Sequence, residues 1–239
     1  PELAREAVAR ALAHAGLEVR DLEAAVLALA PDALMGVAHA ERWVADALGV
    51  AGKPFMRVNT GGSTGITTVH AAYFHVASGM FDCVLAAGAD RVGESGDAQL
   101  VLNTMWDVLY ERPFPLNAIN MLALQAVRYM AKYGTTEYHM ALAAVKNRRH
   151  ALRNPHAHLR KEVTVEEVLA SRVICWPIKL FDACPQSTGG CALLLCSEEL
   201  ARRLPGPKAW IEGVGNCAET YFMGDRMGPR AEHDPADAD

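Results

Sequence analysis

Apolar residues spaced three and four positions apart alternate with short continuous apolar runs in the first ninety residues. The spacing predicts helices over Glu2–Gly16 and Ala38–Leu48, with a glycine placed to end each of them. The continuous runs Ala24–Ala30 and Asp82–Ala89 are typical of strands buried on both faces. Because strands that alternate with helices require right-handed crossovers, the pattern predicts an α/β fold with a largely parallel sheet.

The stretch Pro54–Gly79 combines a strand, a glycine turn and a helix. Phe55–Asn59 has strand character and is predicted to be buried, and a helical pattern begins near Gly62 or Ser63. The helix carries apolar residues at Ile66, Val69, Ala72, Tyr73 and Val76. Amides in the first turn of a helix lack intrahelical partners and lie at the positive end of its dipole. The turn is therefore suited to stabilise an anion or a developing oxyanion.

Longer helical patterns replace the alternation after residue 92. The predicted helices are Leu116–Tyr133, Thr135–Leu152 and Val165–Ser171, the last with a capping box at Thr164 and Glu167. Sheet character returns at Gly190–Ser197, followed by a helix, Glu198–Leu204, and a strand, Ala209–Val214. The predicted division is a sheet-containing core at 1–92, a helical insertion at 93–181, closing strands and a helix at 182–224, and a linker or disordered tail at 225–239.

Composition and charge limit the kinds of partner and site that can be expected of the chain. With 51% hydrophobic and 21% charged residues, the chain has the make-up of an ordinary globular protein. Its net charge of −5 gives no reason to expect a nucleic-acid partner, and no apolar run is long enough to predict a membrane span. The six cysteines form no C-x-x-C pair, so no metal site is predicted; they suggest reduced thiols in the cytoplasm. Since the chain starts at Pro1, the possibility of an upstream targeting segment stays open.

Residues 58–65, VNTGGSTG, resemble the nucleophile turn of thiolases, especially the sterol-carrier-protein-type branch, whose pattern is roughly V-N-x-x-C-S-T-G. The resemblance covers nearly the whole chain in the family's order. It continues through GMFDCVLAAGADRV, YGTTEYHMALAAVKNRRHALRNPHA, VTVEEVLASRVICWPIKLFDACP and GCALLLCSEELARR. It implies the thiolase fold, in which two βαβαβαββ halves stack in five layers and the first half carries an inserted helical loop domain.

Under this resemblance, the chain corresponds to the first half with its loop domain and closing strands. No second copy of the opening A-x-x-A-L-x-x-A-G helix is found, so we expect the second half and the family's first strand to be absent. The resemblance also implies a homodimer built around Arg57–Thr60. The family's catalytic histidine and second cysteine would belong to the absent half.

The chain departs from the family pattern at two places. The family's nucleophilic cysteine falls on Gly62, and its usual Asp-Gly-Ala run is replaced by Ser187-Thr188-Gly189-Gly190. Thiolysis needs a covalent acyl-cysteine, which Gly62 cannot form. Retro-aldol cleavage of a β-hydroxyacyl-CoA needs a base for the hydroxyl group and donors for the thioester enolate, and backbone amides at this turn could be those donors.

The favoured prediction is therefore an acyl-CoA carbon–carbon lyase of lipid metabolism, with a coenzyme A thioester as substrate and no bound cofactor. The resemblance includes lyases without the cysteine that act on steroid side-chain thioesters beside a small acyl-CoA-binding partner subunit. One alternative is a relative of acetyl-CoA acyltransferases that is inactive or truncated. Another is a subunit retained for assembly, with no catalytic role.

A different enzyme class remains open because Gly61–Gly65 also satisfies G-x-S-x-G, the nucleophile elbow of serine hydrolases. Ser63 would then be the nucleophile, with Asp182 and His233 as its partners. The alternative for Ser63 is a helix cap or a first-turn residue, positions that serine favours.

The remaining candidates each have a functional and a structural interpretation. His70 is either a base or a packed residue on the helix after the turn, which it shares with Tyr73. His139 lies on a loop-domain helix that in thiolases is near bound substrate. The basic residues Lys146, Arg148, Arg149 and Arg160 either bind the phosphates of coenzyme A or form a solvated helix face.

Overall fold

The computed structural model describes residues 1–29, 31–92, 96–114, 116–218 and 220–226. The chain divides into two compact units. Residues 1–98 and 187–217 form the first, and residues 99–186, together with the described residues from 218 on, form the second. The four-part division expected from the sequence stays a prediction.

The first unit contains a four-stranded sheet with helices before and between its strands. Its helices are α1 (Glu2–Ala15), α2 (Asp32–Met35), α3 (Ala40–Ala47), α4 (Thr64–Ala77) and α9 (Glu198–Arg203), and its strands are β1 (Ala24–Ala28), β2 (Phe55–Val58), β3 (Cys83–Arg91) and β6 (Thr188–Cys196). The strand order is β2-β1-β3-β6, with β1 parallel to β2 and β3 and with β6 antiparallel to β3. The predicted α/β class is confirmed, with one antiparallel strand added.

Strand β1 is buried on both faces, as its continuous apolar run predicts. Ala25 and Leu27 pack with residues of α1 and α3 in one core cluster, whereas Ala24 and Val26 pack with Ala72 of α4 in another. The two sets alternate because successive side chains of a strand point to opposite faces of the sheet. Helices on both faces thus bury the centre of the sheet.

One strand prediction is wrong in its burial, and another is wrong altogether. Strand β2 was expected to be buried, but Phe55 is 36% exposed and Met56 44% exposed. The reason is that, among the described strands, β2 lies at the edge of the sheet and pairs with β1 alone. Residues 209–214 form no strand, and Trp210 is 56% exposed. A strand needs a neighbour for its backbone groups, and no described strand pairs with this segment.

The second unit is mainly helical, as predicted. Its helices are α5 (Ala98–Leu102, whose first residue belongs to the first unit), α6 (Ala118–Tyr133), α7 (Glu137–Ala151) and α8 (Val165–Ala170), and strands β4 (Val173–Cys175) and β5 (Ile178–Lys179) form an antiparallel pair. The predicted capping box is confirmed. Glu167 N–H donates to Thr164 Oγ1 at 3.2 Å, and Thr164 N–H donates to Glu167 Oε2 at 2.8 Å. The predicted tail begins at Asp225, and residues 227–239 lie outside the described residues.

An ion cluster in the first unit ties the edge strand β2 to the helices that precede it. Arg57 of β2 contacts Asp32 Oδ1 at 2.5 Å and Glu41 Oε2 at 2.8 Å. The Arg57 hydrogen bond lowers the pKa of Asp32. Burial raises the pKa of Glu41, but the residue's backbone hydrogen bond and Arg57 outweigh burial and lower that pKa overall. The two carboxylates stabilise the fold in their charged forms.

Replacing Arg57 with Met should destabilise the chain at pH 7 by about 1–2 kcal/mol, because hydrogen bonds to charged groups are lost from a partly buried site. Both carboxyl groups have lowered folded-state pKa values, so their contribution is present above about pH 4 and is lost as the pH falls through those values. The difference in unfolding free energy between the wild type and Arg57→Met should therefore shrink as the pH falls from 7 to 3. Urea unfolding at several pH values measures it, with Arg10→Met as the exposed ion-pair control. A stability difference that does not change with pH would contradict this dependence on the two carboxyl groups.

The glycine pair on β6 offers a second test of the fold. A Cβ atom added at Gly190 would lie 2.9 Å from the Leu3 carbonyl oxygen of α1, whereas one added at Gly189 would meet nothing within 4 Å. Gly190→Ala should therefore destabilise the chain by about 1–3 kcal/mol through overpacking. Gly189→Ala should change stability by about 0.5 kcal/mol or less. Equal urea midpoints for the two variants would show that α1 does not pack against β6 in this way.

Candidate functional site

The turn between β2 and α4 is a single 3₁₀ turn, Gly61–Ser63, and α4 begins at Thr64. Gly61 has φ +63°, in the left-handed region where glycine carries no steric penalty. Gly62 is not in that region, and a Cβ atom built on it would meet nothing within 4 Å. The backbone therefore requires glycine at position 61 and has room for a side chain at position 62.

Hydroxyl groups of neighbouring residues hold this turn. Ser63 Oγ donates to Thr60 O at 3.0 Å, and Thr64 Oγ1 donates to Gly61 O at 2.6 Å. Thr60 Oγ1 donates to Thr67 Oγ1 at 2.9 Å. These bonds join residues at most seven positions apart, so they hold the turn locally.

The structure places Ser63 at the N-cap position of α4, as the structural interpretation predicts, but its side chain makes no capping bond to the helix. Its hydroxyl contacts Thr60 O and, at 3.1 Å, Thr60 Oγ1. Among the described residues, no histidine or carboxylate hydrogen-bonds to Ser63. The geometry therefore gives Ser63 a role in the turn and supplies no base for a serine nucleophile.

The backbone amides of the turn are the groups that can bind an anion. Thr60 N–H donates to Thr64 Oγ1 at 2.9 Å and Gly61 N–H to Asn59 Oδ1 at 3.2 Å, so these two amides are occupied. Gly62 is exposed and lies in the first turn, where amides have no intrahelical acceptor. Its amide is the candidate donor to a carbonyl oxygen or oxyanion.

His70 and Tyr73 lie on α4 and are half-buried. Tyr73 packs against the core cluster that contains Ala72, which gives it a structural role. His70 is seven residues beyond Ser63, a rise of roughly 10 Å along the helix. Among the described residues, the Ser63 hydroxyl bonds to Thr60, and no hydrogen bond joins it to His70.

In the second unit, His139 has a structural role that the sequence analysis missed. Its Nδ1 accepts a hydrogen bond from Thr136 N–H at 3.1 Å and contacts Thr136 Oγ1 at 2.9 Å. His139 thus closes a capping box at the start of α7. The usual sequence signal has Glu or Gln at this position, which explains why the pattern did not reveal it.

The four predicted basic residues do not share one environment. Lys146 and Arg149 are exposed and lie three positions apart on α7, which places them on one helix face. Arg148 is half-buried, with its guanidinium 5.6 Å from the centre of the Phe181 ring. Arg160 is exposed in the segment after the helix. Lys146 and Arg149 therefore share an exposed helix face, whereas Arg148 packs against an aromatic ring.

The proposed hydrolase partners of Ser63 give no support to a triad. Asp182 Oδ2 accepts a hydrogen bond from Lys179 N–H at 2.9 Å, which fixes the turn after β5. Asp182 Oδ1 is buried and has no hydrogen-bond partner among the described residues. His233 lies outside the described residues.

A cavity of about 390 Å³ in the second unit was not predicted from the sequence. Its lining combines four apolar side chains with three polar ones: Leu100, Trp106, Phe114 and Leu116, and Asn103, Thr104 and Arg112. Arg112 Nε donates to Trp106 O at 2.8 Å, which fixes one wall. Such a lining offers a ligand both apolar contacts and polar groups.

The described residues lack two further kinds of feature. Among them, no group of three or more His, Cys, Asp or Glu side chains is arranged to hold a metal ion. No described helix is long and apolar enough to cross a membrane.

The sequence and the structure both match known proteins. The chain is 36% identical, over 93% of its length, to a steroid side-chain-cleaving aldolase of Thermomonospora curvata. It is 29% identical, over 94% of its length, to an acetyl-CoA acetyltransferase of Methanothermobacter thermautotrophicus. Among solved structures, the Ltp2-ChsH2(DUF35) aldolase matches with a TM-score of 0.73 and 35% identity over 89% of this chain.

The chain is shorter than these proteins, spanning 59% of the length of each of the two relatives and 54% of the chain of the solved aldolase. The sequence profile of one family, described as the thiolase N-terminal domain, matches residues 1–173. This match covers well over half of the chain and includes the glycine turn and helices α6 and α7. The chain therefore belongs to the thiolase family, with the fold of its N-terminal domain.

Proposed function

We propose that this chain is part of an acyl-CoA lyase that cleaves a β-hydroxyacyl-CoA by a retro-aldol reaction. The observation that carries the proposal is Gly62, which stands where the resemblance puts the thiolase nucleophile. The turn has room for a side chain at this position, so the backbone does not force the loss of the cysteine. What remains is an exposed amide at the start of a helix, suited to bind a thioester oxygen.

The reaction needs no group that carries an acyl intermediate. A base takes the proton from the β-hydroxyl group, the Cα–Cβ bond breaks, and its electron pair moves into the thioester to form an enolate. The Gly62 amide stabilises the developing negative charge on the thioester oxygen. Protonation of the enolate at Cα gives a shorter acyl-CoA, and the other product is an aldehyde or a ketone. The base comes from outside the turn, because Ser63 has its hydroxyl bonded to Thr60.

The proposed substrate class is a steroid side-chain thioester. The 36% identical relative is a steroid side-chain-cleaving aldolase, which supports this class and a place in steroid degradation. The solved aldolase is named for two components, Ltp2 and ChsH2(DUF35), which supports a small acyl-CoA-binding partner subunit. The cavity beside Trp106 and Arg112 is a further candidate for binding an apolar acyl group.

The proposal includes contacts to the phosphates of coenzyme A. Lys146 and Arg149 present two positive charges on one exposed face of α7, and Arg160 is exposed nearby in the sequence. Arginine suits bidentate contacts to phosphate. Combining Lys146→Ala with Arg149→Ala should raise the KM for acyl-CoA and leave kcat unchanged, and an unchanged KM would remove these residues from the site.

We also propose a homodimer built around Arg57–Thr60. Strand β2 is an edge strand whose outer side has no described partner, and an exposed strand edge can pair with a second copy. Its apolar residues Phe55 and Met56 are exposed. Light scattering on the chain completed by its second half measures the assembly, and a monomer at micromolar concentration would contradict the dimer.

The chain completed by its second half should cleave β-hydroxyacyl-CoA without free coenzyme A and form no covalent acyl-enzyme. Gly62→Ala and Gly62→Cys should fold, because a Cβ atom meets no neighbour. Neither should raise the lyase rate, since the reaction uses no side chain at position 62 and a new one would occupy the space of the thioester. The measurements are product formation and intact mass, with β-ketoacyl-CoA as the comparison substrate. Cleavage that requires coenzyme A would instead indicate thiolysis.

Replacing Ser63 with Ala should destabilise the chain by about 0.5–1 kcal/mol and change the cleavage rate by about twofold or less, because its hydroxyl makes only exposed hydrogen bonds within the turn. Ser78→Ala is the matched control, since Ser78 Oγ donates to His75 O just beyond the other end of α4. If Ser63 were a hydrolase nucleophile, its replacement would abolish nearly all activity. Detection of an acylated peptide containing Ser63 would likewise identify Ser63 as a nucleophile.

A further inference from the structure

A pair of thiols faces each other in the sheet of the first unit. Cys83 is the first residue of β3 and Cys196 the last residue of β6, and the two are direct partners in the antiparallel ladder. Their Sγ atoms are 3.9 Å apart. The residues are distant in sequence, so only the pairing of β3 with β6 brings them together.

The ladder gives this pair a backbone spacing that a disulfide can bridge. Ser197 N–H donates to Asp82 O at 2.9 Å, so the neighbouring pair 82/197 is a hydrogen-bonded one. Because such pairs alternate along an antiparallel ladder, Cys83 and Cys196 form a non-hydrogen-bonded pair, with Cα atoms about 4.5 Å apart. This distance lies within the range of about 4.4–6.8 Å that disulfides span. The two Sγ atoms would have to approach from 3.9 Å to about 2.05 Å to form the bond.

The two thiols differ in exposure and acidity. Cys83 is 1% exposed, whereas Cys196 is half-buried. Their mutual contact lowers the pKa of Cys196 and, together with burial, raises that of Cys83. Cys196 is therefore the sulfur that ionises first, and the thiolate is the reactive form of cysteine.

We propose that Cys83 and Cys196 are a site of reversible oxidation, at which a small hydroperoxide converts the two thiols into a disulfide. The Cys196 thiolate attacks the terminal peroxide oxygen, the O–O bond breaks, and the departing oxygen takes a proton to leave as water or an alcohol. The product is a sulfenic acid on Cys196. The sulfur of Cys83 then attacks Cys196 Sγ, the S–O bond breaks, and the thiol proton leaves with the oxygen as water. Two thiols are oxidised and one peroxide is reduced.

Oxidation would also constrain the chain. The disulfide would close a loop between residues that are 113 positions apart, and the chain between them includes residues 99–186 of the second unit. A cross-link across a loop of this length lowers the conformational entropy of the unfolded state. The oxidised protein should therefore unfold at a higher urea concentration than the reduced protein. This inference does not depend on the proposed lyase activity.

The test uses the full chain, reduced and then treated with hydrogen peroxide, quenched, and alkylated in denaturant. We expect a cross-linked peptide that contains Cys83 and Cys196, a mass lower by two hydrogen atoms, near-complete loss of alkylation at both positions, and recovery of both thiols with dithiothreitol. The urea midpoint should rise on oxidation. Cys83 that remains alkylatable, or oxidation of Cys196 that stops at sulfinic acid, would overturn the proposal.

Two variants separate this pair from the other cysteines. Cys191→Ser is the matched control, because Cys191 lies on the same strand β6 but faces Gly88, which has no thiol. It should leave the disulfide and the midpoint shift unchanged. Cys196→Ser should abolish both effects and leave Cys83 reduced. If Cys196→Ser fails to fold, peptide mapping of the wild type still decides, since a cross-link from Cys196 to Cys175, Cys184, Cys191 or Cys217 would contradict the assignment.

Discussion

The burial of β1 and β3 between helices is the constraint on which the first unit depends. Val26 and Val84 are fully buried, and their neighbours in the sheet pack against α1 and α3 on one face and α4 on the other. A strand buried on both faces must satisfy all its backbone groups within the sheet, so its neighbours and their register are fixed. This pairing places the end of β2 beside the end of β1 and so sets where the glycine turn lies.

The hydrogen bonds that hold the turn join residues that are close together in the sequence. Threonine and serine hydroxyls hold Thr60–Thr64, and Gly61 supplies the one left-handed residue. The space at Gly62 bears most directly on function. A nucleophile could be accommodated there, yet the chain presents only an amide, and chemistry that stabilises charge without a covalent intermediate is consistent with that arrangement.

Structural and chemical roles overlap in the second unit. His139 and Arg148 were candidates for substrate contacts, and both have structural partners: a capping box for His139 and an aromatic ring for Arg148. Lys146 and Arg149 remain exposed and share one helix face. The basic candidates on α7 thus separate into packing and solvent-facing groups, because a helix turns each successive residue to a different direction.

The sequence by itself determined the fold class, the family, the positions of most helices and strands to within a few residues, and the absence of a nucleophile at Gly62. Those features follow from apolar periodicity and from a motif of consecutive residues, both of which are local. Only the tertiary structure decided that β2 is an exposed edge strand and that 209–214 forms no strand, because both depend on which strands lie alongside. It also decided that Arg57 contacts Asp32 and Glu41 and that Cys83 pairs with Cys196. Contacts between residues far apart in sequence leave no periodic signal, so they appear only once the chain has folded.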